Sequence, residues 1–173
     1  MGSDSNSQSC DSDRSANWSL TPHLVTVSPL SLYPQLIAPL VDGFFREWPE
    51  WCTRVGRPVV EAIFECGPDG AMPVVLVAHG GGEPLGTIAL RPWFGDEPMA
   101  ETPWVRQLFV FPPHRGRGID RALIAAIERS ARSLGFARLH AATNRIEPLL
   151  VRRGWEVFHR IDHEGRPMAW LRK

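Results

Sequence analysis

Apolar positions along this chain recur with two different spacings, and the two alternate. From Tyr33 to Trp48 they fall at Leu36, Ile37, Leu40, Val41, Phe44 and Phe45, one face of a helix that Pro49 ends. A second helical stripe holds Ile119, Leu123, Ala126, Ile127, Ala131 and Leu134, with Arg121, Glu128, Arg129 and Arg132 facing away and Gly135 stopping the helix. Arg57 to Cys66 predicts a shorter helix. Between these lie short apolar runs. Leu24-Val25-Thr26-Val27 predicts a first strand, and Pro73 to His79 pairs with Leu85 to Leu90 through Gly80-Gly81-Gly82-Glu83 as an antiparallel hairpin. A long loop from Arg91 to Pro103 leads to a strand over Trp104 to Phe111, and Ala137 to Ala142 predicts another. A last pair, Trp155 to Asp162 and Pro167 to Leu171, turns at Glu164-Gly165.

Length and composition fit one domain. The chain has 173 residues and no internal repeat. Its first nineteen residues carry seven serines with Asp4, Asp11 and Asp13, too little apolar surface to offset ordering entropy. Residues 1–20 are therefore expected as a flexible tail and residues 21–173 as the domain. Neither a signal-peptide pattern nor a membrane-spanning apolar stretch is visible, which predicts a cytoplasmic protein. Cys10, Cys52 and Cys66 form an odd set without metal-ligand spacing, so reduced thiols and no metal are expected.

Charge is unevenly placed. The net charge is zero, yet residues 114–173 hold thirteen Lys and Arg against six Asp and Glu. A basic half inside a neutral chain suits a compact polyanion better than a polynucleotide. Within that half lies Val110-Phe111-Pro112-Pro113-His114-Arg115-Gly116-Arg117-Gly118-Ile119-Asp120, which joins an apolar run to a helix through a glycine-spaced basic turn. Gly116 and Gly118 let backbone N–H groups approach an anion, the helix start at Ile119 adds its positive end, and Arg115 and Arg117 supply charged donors. A diphosphate fits such a turn. The alternative is an ordinary strand-to-helix connection with solvated arginines. Dinucleotide and triphosphate loops are set aside, because the third glycine of one and the Lys-Ser/Thr pair of the other are missing.

The segment Leu108 to Leu134 resembles the acetyl-coenzyme A motif of the GNAT superfamily of N-acetyltransferases, whose turn reads Arg/Gln-x-x-Gly-x-Gly/Ala. Asp120 departs from that pattern at its last position. Asn144 followed by Glu147-Pro148-Leu149-Leu150-Val151-Arg152-Arg153-Gly154-Trp155 resembles the family's short helix before its final hairpin. The resemblance implies a single α/β (α+β) domain. Its central sheet is mixed and mostly antiparallel, flanked by helices and splayed at the acyl-coenzyme A site. The element order becomes strand, two helices, three strands, helix, strand, helix, two strands. It also implies acetyl transfer from acetyl-coenzyme A as cosubstrate to a primary amine by direct attack. Expected partners are that coenzyme and an amine acceptor, with homodimerisation open, and neither nucleic acid nor a membrane.

Direct attack sets chemical demands. A free amine has a pKa of about 10.4 and must lose a proton before attacking a thioester. The oxyanion needs a donor, which the resemblance assigns to a backbone N–H within Leu108, Phe109 and Val110. The turn residues Arg115, Gly116, Arg117, Gly118, Ile119 and Asp120 are expected to bind the diphosphate, and Asn144 the pantetheine arm. The tyrosine that many relatives use as acid corresponds to Leu150, leaving Tyr33 as the sole tyrosine of the chain. The family's glutamate position falls near Trp104 or Val105, so Glu101 is the candidate base, with His79 second. Trp48, Trp51, Trp93 and Trp104 are candidates for an acceptor wall or for core packing. The alternative to an enzyme is an acyl-coenzyme A-binding regulatory or interaction module that catalyses weakly or not at all.

Overall fold

A computed structural model describes residues 25–92, 103–163 and 165–173. The chain begins with β1 (Thr26–Pro29), passes two single 3-10 turns and enters α1 (Ile37–Glu47). Pro49 does end α1, and it also starts a helix of its own, α2 (Pro49–Val55). Proline suits a first helical position because that N–H has no intrahelical partner. Gly56, at φ 83°, turns the chain into α3 (Arg57–Ala62), which is shorter than the expected helix. Three helices therefore stand where two were expected.

The hairpin β2 (Val74–Gly80) and β3 (Glu83–Arg91) follows, then β4 (Trp104–Val110) and α4 (Ile119–Ser133). β5 (His140–Thr143) starts three residues later than predicted. α5 (Glu147–Val151), β6 (Glu156–His163) and β7 (Arg166–Arg172) complete the chain. Seven strands form one sheet in the order β1-β2-β3-β4-β5-β7-β6, antiparallel except at the parallel pair β4–β5.

Helices cover both faces, and the inner strands β2 and β3 read accordingly as nearly unbroken buried runs. Leu76, Ala78, Ile88 and Leu90 meet α4, α5 and their neighbours in one core. Val75, Val77 and Ala89 meet α1 to α3 in the other. Period-two alternation thus divides the residues of two strands between two layers. In α4 the stripe Ile119, Leu123, Ala126, Ile127 and Ala131 is buried as predicted. Leu134 is instead exposed at the helix end, and Glu128, expected to face away, is 3% exposed.

Glu128 is buried because three donors meet it there. Arg153 Nη2 donates at 2.9 Å, Trp155 Nε1 at 3.0 Å and Lys173 Nζ at 3.1 Å. Burial pushes its carboxyl up, but these hydrogen bonds outweigh it and hold the group below the ordinary carboxylate value. The network ties the middle of α4 to the start of the last hairpin and to the final residue.

Candidate functional site

β4 changes partners along its length. Trp104 and Val105 pair with His140 and Ala141 of β5, and no later β4 residue pairs with that strand. β5 goes on beside β7, while β4 goes on beside β3. The sheet therefore splays beyond Val105 and Ala141, and a cleft of about 480 Å³ opens between the strands. A bulge sits at the fork. The β3 register passes from Ala89 opposite Arg106 to Thr87 opposite Phe109, so Gln107 and Leu108 share Ile88. Gln107 takes φ 59°, a left-handed conformation that non-glycine residues seldom adopt.

This bulge resets the strand's alternation. Val105, Leu108 and Val110 face the α4 core and Phe109 the other. Phe111 donates its N–H to the Leu85 carbonyl of β3 at 3.0 Å, and Phe109 stands opposite Thr87 two residues earlier. Successive N–H groups of a strand point to opposite edges, so those of Leu108 and Val110 point into the splay. There β4 presents backbone donors to whatever fills the cleft.

The glycine turn forms the adjoining wall. Gly116 and Gly118 have φ 73° and 78°, and Gly118 is the N-cap of α4. A β-carbon at Gly118 would meet the Arg121 guanidinium at 3.1 Å, whereas Gly116 faces open space. Arg115, Gly116, Ile119 and Asp120 line the cleft; Arg117 and Gly118 belong to the same turn but not to its wall. Asp120 Oδ1 accepts the Arg121 N–H at 2.9 Å. Asn144 lines the opposite side, just beyond β5.

Arg115 is more occupied than its sequence position suggests. Its Nε donates to the Val110 carbonyl at 2.9 Å, and its Nη2 pairs with Glu47 Oε2 at 2.7 Å. Glu47 ends α1 and also meets Arg145 Nη1 at 3.5 Å. Glu47 and Arg145 are cleft residues that pattern reading misses, since nothing in their local sequence marks them. Trp48 joins them on the wall, packed edge-on against Phe44.

Other expectations resolve differently. Trp104 is fully buried against His140 and Trp170, so it is core rather than acceptor wall. His79 bonds Ser28 Oγ through Nε2 at 3.1 Å and stacks on Tyr33 at the β1–β2 edge, away from the cleft wall. Leu150 is fully buried and lines the cleft, so no hydroxyl enters from that position. Cys52 is a buried free thiol whose pKa burial raises, which suits packing rather than nucleophilic attack. Glu101 and Trp93 lie outside the described residues, as does the expected tail over 1–20. Among the described residues, no helix is long and apolar enough to cross a membrane.

A mixed sheet splayed between its two parallel strands, with a glycine turn entering a helix at the fork, is the architecture to be compared with known proteins. The Acetyltransferase (GNAT) family profile matches residues 38–148, and the chain belongs to that family. Solved structures agree on the fold. Aminoglycoside 6'-acetyltransferase type Ii superimposes with a TM-score of 0.69 at 19% identity, covering 86% of this chain and 96% of that one. The aminoglycoside 6'-N-acetyltransferase from Enterococcus faecium gives 0.69 at 16% identity, with the same coverages. The yncA protein from Salmonella typhimurium, solved with its cofactor acetyl-CoA, gives 0.68 at 18%, covering 86% and 92%. No curated protein matches the chain.

Proposed function

We propose that this acetyltransferase moves an acetyl group from acetyl-coenzyme A to a primary amine by direct attack. The splay carries the reading: beyond Val105 and Ala141 it exposes the Leu108 and Val110 N–H edge beside the Gly116–Gly118 turn. The fit is physical. Two left-handed glycines and a helix start form a cradle that side chains would fill, and the strand edge turns backbone donors toward the cleft beside it.

Acetyl-coenzyme A supplies a thioester carbonyl and, after attack, a thiolate leaving group. The turn from Arg115 to Asp120 holds the diphosphate, the β4 edge and Asn144 orient the pantetheine arm, and the Leu108 N–H faces the developing oxyanion. Glu101, in the segment before β4, is our assignment for the base that takes the ammonium proton before attack. The free amine then adds to the carbonyl carbon to give the oxyanion, which collapses as the C–S bond breaks, and the new amide nitrogen gives up its second proton to solvent. Leu150 provides no acid, so the thiolate takes its proton from water. A thiol pKa of about 8.5 makes that departure tolerable near neutrality.

Thiol release from acetyl-coenzyme A in the presence of a mixed amine panel tests the reading. Amine-dependent release supports acetyl transfer. Binding of the coenzyme with no release under any amine supports the second reading, an acyl-coenzyme A-binding module, which Leu150 in the tyrosine position favours.

A further inference from the structure

Glu47 receives cations from two other walls of the cleft. Arg115 comes from the turn before α4 and Arg145 from the loop after β5, so the three residues link three separate elements across the site. The two contacts differ in strength. Arg115 is held twice, by Glu47 and by the Val110 carbonyl, whereas Arg145 is 67% exposed and makes a single 3.5 Å contact. Nearby, Arg160 and Glu147 meet fork on fork at 2.6 and 2.9 Å, away from the cleft wall. A pair built for surface cohesion looks like the latter. A carboxylate offers two acceptor oxygens on one centre, as a phosphate does, and guanidinium groups grip either with the same fork.

We infer that Arg145 is a further phosphate ligand of the coenzyme, and that Glu47 is the internal anion that holds Arg115 and Arg145 in place until a phosphate replaces it. This rests on the acyl-coenzyme A reading of the cleft. Glu47 is 16% exposed and lies beside the turn assigned to the diphosphate, so a phosphate entering there competes for the cations it holds. The loosely held Arg145 yields first. Arg115 keeps its bond to Val110 and stays on the wall.

Calorimetric titration of coenzyme A and of 3'-dephospho-coenzyme A, at low and high salt, tests this on wild type, Arg145→Gln and Glu47→Gln. Arg145→Gln is expected to weaken coenzyme A about tenfold, with the gap narrowing as salt rises. The same loss with the dephospho form places the contact on the diphosphate; a loss confined to coenzyme A places it on the ribose phosphate. Glu47→Gln is expected to tighten binding severalfold, because the competing anion is gone. Melting curves establish that both variants are folded.

Unchanged affinity in folded Arg145→Gln overturns the assignment of Arg145. Weaker binding in folded Glu47→Gln overturns the placeholder role and makes Glu47 a brace for Arg115. A wild-type protein that does not bind coenzyme A at all overturns the acyl-coenzyme A reading itself, a failure distinct from the other two.

Discussion

Two glutamates in this molecule gather cations, and they do so in opposite ways. Glu128 lies in the interior, where Arg153, Trp155 and Lys173 satisfy its carboxylate at 2.9 to 3.1 Å. Glu47 lies on the cleft wall with one short contact, to Arg115, and one long contact, to Arg145. The first joins elements that must stay together. The second joins elements around the cleft, and on the reading proposed above it is the contact an entering phosphate displaces. A buried carboxylate with every partner in place becomes costly once a partner is lost, whereas one on the wall of an open cleft, with one cation held at 3.5 Å and largely exposed, has a partner that leaves at less cost. The same chemistry thus serves as a rivet in one place and a latch in the other.

Breaking the rivet gives the largest expected effect. Glu128→Ala leaves the buried Trp155 Nε1 without its acceptor and two cations without their counter-charge. The expected loss is about 3 kcal/mol, at the lower end for a broken buried pair because Arg153 and Lys173 keep partial access to water. For a domain of this size that is a fall in Tm of about 6–12 °C, read from a melting curve. The pH dependence has a definite sign. Glu128 has a folded-state pKa below its unfolded value, so its stabilisation is present above the unfolded value of about 4.3 and is lost as acidification passes the folded one. The stability gap between wild type and Glu128→Gln should narrow on acidification through that range; a gap that widens contradicts the network.

The cleft responds in binding instead of stability. Gly116→Val with Gly118→Val puts β-branched residues at φ 73° and 78°, and the second also meets Arg121. Each position costs about 1–2 kcal/mol in a left-handed backbone, so the turn moves and coenzyme A binding falls by about 100-fold or more. Unchanged calorimetric affinity in a folded double variant removes the diphosphate from this turn. Asp120→Gly is expected to do the reverse on a smaller scale. Removing a like charge from the cleft wall should tighten coenzyme A about fivefold at low salt and less at high salt. Its place in the first turn of α4 also means a slightly lower Tm.

The two glutamates also mark where sequence pattern stops informing. The α4 stripe is legible because Ile119, Leu123, Ala126, Ile127 and Ala131 repeat within a single helix. The glycine turn is legible because its residues are contiguous. Glu128 is not legible, since its donors lie 25 to 45 residues further on and only the fold brings them back. Glu47 is hidden for the same reason, with partners near positions 115 and 145. Pro49 shows a different limit: the residue that ends one helix is also the residue that begins the next. The bulge at Gln107 leaves no signal either, because glutamine does not announce a positive φ.

The smallest expected effect is also informative, because it separates the cleft from the rest of the α1 layer. Tyr33 is the sole tyrosine of the chain and so the sole phenol available as the acid that Leu150 does not provide. It stacks on His79 with ring centroids 4.3 Å apart, at the β1–β2 edge and off the cleft wall. A proton donor must come within about 3 Å of the leaving sulfur, directly or through one water. Tyr33→Phe keeps the ring and its stacking and removes only the hydroxyl. Turnover with the best amine of the panel is therefore expected to stay within about twofold of wild type, since no hydrogen bond at the reacting sulfur is lost. A pH–rate profile makes the comparison sharp. An acid limb that is unchanged in Tyr33→Phe leaves protonation of the thiolate to water, whereas a collapse of turnover with intact coenzyme binding makes Tyr33 the acid and brings the β1–β2 edge into the site.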